Sequence, residues 1–122
     1  MARDQASDLI LRSRLLLDRI RRGDIDRLGI NHMAQVCIIC AYIARAGHSQ
    51  LAHERIQEVG QQLAQALHVF DEAGKADRLP DHLLEGLIEV INEYDHMLGT
   101  VRLELFAKAS DYLDHLRGDA AD

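Results

Sequence analysis

Between Leu84 and Leu105 the apolar residues Leu84, Leu87, Ile91, Tyr94, Leu98, Val101 and Leu105 recur in alternating steps of three and four. That spacing is a helical heptad seam. It continues through Ala109, Tyr112 and Leu116 after two adjoining four-residue steps at Leu105, a stutter that unwinds a supercoil without ending the helix. The pattern predicts one long helix from Asp81 to Arg117. Residues 52–73 carry a second seam, Ala52, Ile56, Val59, Leu63, Ala66, Phe70 and Ala73. Ser49 is its expected cap and Gly74 its expected stop.

Earlier in the chain, Ser7 and Gly23 bracket a helix whose wheel puts Leu9, Ile10, Leu16, Leu17 and Ile20 on one face. Leu11 and Leu15 fall on the other side, among Arg12, Arg14, Asp18, Arg19 and Arg22. Such a strip is either covered by another part of the bundle or left as a docking surface. Residues 24–30 read as a connector, and Asn31 as the cap of a helix ending before Gly47. Met33, Val36, Cys37, Cys40, Ile43 and Ala44 share one of its faces, while Ile38, Ile39 and Ala41 carry apolar surface most of the way round. It is expected to be the most buried helix. Pro80 opens the last one, where its missing N–H costs nothing.

The expected fold is therefore all-α, a four-helix antiparallel bundle with two shorter helices packed on a long helical hairpin, the last helix long and heptad-patterned. At 1.5 Å per residue that helix would be roughly 54 Å long and its partner roughly 36 Å, so about a third of it would project. Either helix one or a second subunit must cover the excess. Asp95 and Arg102 interrupt one flank of the seam. In an antiparallel pairing of two copies centred near Leu98 and Gly99, each Asp95 would face Arg102 of the other copy, with Phe106 on the same flank. A homodimer through these residues is the expectation.

Composition supports one domain spanning residues 1–122, with 1–6 and 118–122 frayed. Apolar residues make up 48%, aromatics only 4%, and proline occurs once, a composition that favours helices. The net charge of −6 is segregated: residues 1–28 hold seven arginines against five aspartates, whereas residues 81–122 hold three bases against ten acids. This distribution opposes binding to a polyphosphate. Twelve arginines against two lysines fit a GC-rich bacterial or phage coding sequence. No start-of-chain signal is visible and the longest apolar run, Met33 to Ala44, is too short to span a bilayer. A cytoplasmic location is expected, with no membrane contact.

Candidate chemistry yields to structural readings. Cys37 and Cys40 lie mid-helix among isoleucines, where burial raises a thiol pKa, and lack two further ligands for zinc. Glu93 and His96 have the Glu-x-x-His spacing of di-iron bundles, but no second copy exists, and the seam's phase turns both outward. Seven histidines are scattered, and no Ser, His and acid stand at recognisable spacing. The chain is expected to be no enzyme, with no cofactor and no metal. Its expected role is a protein–protein interaction module: an adaptor, regulatory subunit or small inhibitor presenting Leu11, Leu15, Arg12, Arg19 and Arg22 to a larger protein. The alternatives are a DNA-binding regulator using the Arg-rich first helix and, third, a metal-binding bundle.

Overall fold

The computed structural model describes residues 3–73 and 78–121, with side chains for 4–73 and 78–116. It is all-helical among the described residues, with five helices: α1 (Arg3–Arg21), α2 (Arg27–Arg45), α3 (His53–Ala73), α4 (Asp81–Thr100) and α5 (Leu103–Ala121). Helix α2 is the hub, packing against each of the other four. Ile30, Met33, Val36, Cys37, Cys40 and Ile43 are its buried residues, against Ile56, Val59 and Leu63 of α3 and the paired stripes of α4. By length and composition α2 is also apolar enough to cross a membrane.

Local chemistry explains most boundaries. Gly23 and Gly47 take φ of 88° and 91° and close α1 and α2 with bonds from Asp24 N–H to Arg19 O and from His48 N–H to Ile43 O, the pattern glycine permits after a last turn. Helix α2 starts a turn earlier than Asn31, because Asp26 accepts the Gly29 N–H at 2.7 Å and caps it. Ser49 is not the cap of α3. Ala52 O accepts the first helical bonds, while the Ser49 hydroxyl takes the Leu51 N–H at 3.1 Å. Pro80 opens α4, its carbonyl accepting from Leu83 and Leu84. The expected stop at Gly74 lies outside the described residues. Helix α1 begins at Arg3, ahead of Ser7, and α5 reaches Ala121.

The largest departure is at residues 101–102, where the expected long helix is two helices. Val101 is extended (φ −90°, ψ 142°), its N–H reaching Met97 O at 2.8 Å, and Arg102 O starts α5. Gly99, Thr100 and Val101 are all weak helix formers. The Thr100 hydroxyl also donates to His96 O, a back-bond that weakens a helical ladder. The seam from Leu84 to Val101 is buried as expected, but beyond the break the buried face is Phe106, Ala109 and Leu113, with Tyr112 and Leu116 exposed. Helix α5 instead folds onto α2, where Tyr112 meets Tyr42 at 5.3 Å, while Phe106 meets Tyr94 of α4 edge-on at 6.5 Å. At 20 residues, α4 is about 30 Å long, so the overhang expected of a single helix running to Arg117 does not arise.

The close helix crossing occurs at Gly86, where a Cβ would stand 2.7 Å from Val59 Cγ2, whereas Gly99 has nothing within 4 Å. The self-association residues are accordingly dispersed. Leu98 and Phe106 are buried in their own chain, Asp95 pairs with Arg14 at 2.9 Å, and Arg102 is exposed at the break. The register that set Asp95 against Arg102 of a second copy required an unbroken helix.

Candidate docking groove

In α1 the residues that face inward are Ser13, Leu17 and Ile20, one every three to four positions, all under 7% exposed. That phase turns Leu11 and Leu15 outward, 57% and 58% exposed, as the helical wheel requires. The early start of α2 adds a third leucine, Leu28, at 64%. The three line a groove of about 830 Å³ between α1 and α2, together with Arg12, Arg19, Arg22, Leu16 and His32. All five residues expected to meet a partner are gathered there. Leu28 was missed because residues 24–30 read as a connector.

The groove's rim is only partly basic. Arg19 holds Asp24 at 3.0 Å and Asp26 at 3.5 Å, Arg22 holds Asp18 at 3.1 Å, and Asp8 also lines the groove. Arg14 is drawn away to Asp95 and Asn92 of α4. Arg12 alone of the three rim arginines has no ion-pair partner among the described residues. Exposed pairs like these contribute little to stability, but they neutralise the surface a phosphate backbone would need.

Ser13 and His32, nineteen residues apart, meet beneath the groove with Oγ 2.9 Å from Nε2. Sequence spacing could not reveal this pair, because it depends on how α1 crosses α2. Burial and the Arg12 charge push the His32 pKa down, so the ring is neutral at pH 7. The Ser13 hydroxyl, fully buried, donates to Leu9 O at 3.1 Å. With its single proton used there, it accepts from the ring when His32 carries its proton on Nε2, and in that tautomer both polar groups are satisfied.

Glu93 is likewise turned inward, 7% exposed, accepting the Gln50 N–H at 2.9 Å and lying 3.1 Å from the Ser49 hydroxyl. The expectation that it faces solvent is corrected; only His96 does. The residues 49–51 wrap over α4 and supply the donors that make this burial tolerable. The cysteines are free and buried, with burial pushing the Cys37 thiol up to about 12 and Cys40 upward as well. Burial also raises Tyr94 to about 12. Among the described residues no group of three or more His, Cys, Asp or Glu side chains could hold a metal ion.

No family model, curated protein or solved structure matches this chain. Function is therefore argued from its surface alone.

Proposed function

We propose that the protein is a non-enzymatic helical interaction module that docks a segment of a larger protein on the strip formed by Leu11, Leu15 and Leu28. The observation that carries this reading is the exposure of three leucines together in one groove, each with more than half its surface open. Isolated exposed leucines are ordinary; three lining one groove with a charged rim have the composition of an interface core. Arg12 gives the strip a charge available to a partner's carboxylate, and the paired Arg19 and Arg22 can exchange their aspartates for it. An adaptor, a regulatory subunit and a small inhibitor all use such a surface.

The test is comparative capture from the native host with the wild type and a Leu11→Asp, Leu15→Asp variant. Both positions are exposed, so the variant is expected to fold. A protein retained by the wild type and lost by the variant supports the reading; identical capture rejects it.

A further inference from the structure

Roughly a quarter turn around α2 from the leucine strip lies a second groove, of about 890 Å³. Helices α3 and α5 form its walls. Each packs on α2, and among the described residues they make no backbone-level contact with one another. Core residues Cys37, Ile56 and Leu63 reach its floor, and Ala41, Gly60 and Ala64 keep its sides low. The stretch of α2 laid open runs from Ala34 to Arg45, about 17 Å or three helical turns.

The charge of this trough is unlike that of the chain. Among the described residues its lining includes Arg45, Lys108 and His53 and no Asp or Glu, in a protein of net charge −6. Neither Arg45 nor Lys108 has an ion-pair partner among the described residues. Both are exposed.

We propose that the trough receives one amphipathic helix of a partner protein, with acidic residues flanking its apolar face. A gap between two helices that share a third is the place where a further helix completes a bundle. The small residues let its backbone approach, and the bare cations require anions at its margins. A partner protein is favoured over a second copy of this chain: the exposed acids of α4, namely Asp81, Glu85, Glu89 and Asp95, share their face with no exposed large apolar residue, the apolar strip of α1 is rimmed by arginines, and Tyr112 and Leu116 of α5 already line the trough beside Lys108. This surface is separate from the leucine strip and stands or falls independently of it.

The probe is a labelled helical peptide of about 15 residues, with leucines spaced three and four apart and glutamates elsewhere, plus its twin with every glutamate replaced by lysine. Each is titrated into the full chain by fluorescence anisotropy at low salt, where charge selectivity is least screened. The glutamate peptide is expected to bind at least about tenfold more tightly than its twin. Arg45→Glu with Lys108→Glu should reverse that preference, and Ala41→Trp should weaken both peptides by filling the trough. Leu11→Asp with Leu15→Asp should leave both unchanged. Equal affinity of the twins, or indifference to the Arg45 and Lys108 changes, would overturn the proposal. So would binding of dodecanoate without binding of either peptide, which would make the trough a site for a small anionic amphiphile.

Discussion

The two grooves that flank α2 are nearly equal in volume and opposite in how they treat their charges. At the α1 groove the arginines outnumber the acids, yet Arg19 and Arg22 are engaged by Asp18, Asp24 and Asp26 of the same chain. At the trough between α3 and α5 there are fewer cations, and among the described residues no carboxylate lines it. Counting basic residues along the sequence therefore points to the wrong face as the more electropositive one. What distinguishes the α1 groove is exposed leucine; what distinguishes the trough is unopposed charge above a floor of small and core residues. As proposed above, the first would dock apolar side chains and the second would select the sign of its occupant.

The sharpest way to separate these surfaces is to mutate each and measure folding. Ile56 is fully buried and lines the trough, so Ile56→Ala should lower stability in urea denaturation by about 2–5 kcal/mol. Next in size is Glu93→Ala, which removes the acceptor of the Gln50 N–H and should cost about 1–3 kcal/mol. By contrast, Leu11→Asp and Leu15→Asp should each move stability by only about 0.5 kcal/mol or less. A loss of several kcal/mol there would show that the strip is internal and erase the contrast between the faces.

The pH dependence sharpens the α1 side further. Because the His32 pKa lies below its ordinary 6.5 in the folded chain, the unfolded state takes up a proton first as pH falls. His32 therefore contributes stability that is fully present above the ordinary value and is lost as pH falls from there toward the depressed one. Melting temperatures between pH 7 and pH 5 should fall more steeply for the wild type than for His32→Gln. The smallest expected effect is at Arg102→Asp. With Leu98 and Phe106 buried in their own chain and the helix interrupted at residues 101–102, this change should leave the sedimentation mass unaltered.

The legible parts of the molecule were those set by the periodicity of a single helix. The phase of α1 placed Leu11 and Leu15 outside, and the seam placed Leu84 through Val101 inside, because a buried stripe imposes its period on the residues that fill it. Features that depend on two elements at once were not legible. The break at Val101 was hidden because the apolar spacing runs straight across it, and only contact with α2 reveals that Phe106 and Leu113 join the expected Ala109 in place of Leu105, Tyr112 and Leu116. Glu93 faces inward because residues 49–51 bring their donors to it, a contact over forty residues long in sequence. The trough was concealed for a related reason. Helix α2 is apolar most of the way round and reads as the most buried helix, yet α3 and α5 leave Ile38 and Ala41 only half-covered.

The cysteines mark the boundary between what the trough exposes and what the core retains. Cys37 touches its floor and Cys40 lies behind it, both held as thiols by burial. A thiol with its pKa near 12 is almost wholly protonated at pH 8 and inert toward alkylation. Reaction with iodoacetamide should therefore wait for unfolding by urea, and labelling of the folded chain would mean that the trough opens deeper than its floor.

Docking of a partner on the leucine strip, as proposed, would be seen by amide hydrogen exchange on the full chain with and without the protein lost by the Leu11→Asp, Leu15→Asp variant. Added protection concentrated in residues 8–35, spanning the outer face of α1 and the first half of α2, is the predicted result. Exchange unchanged in that stretch, or protection confined to α3 and α5, would contradict it.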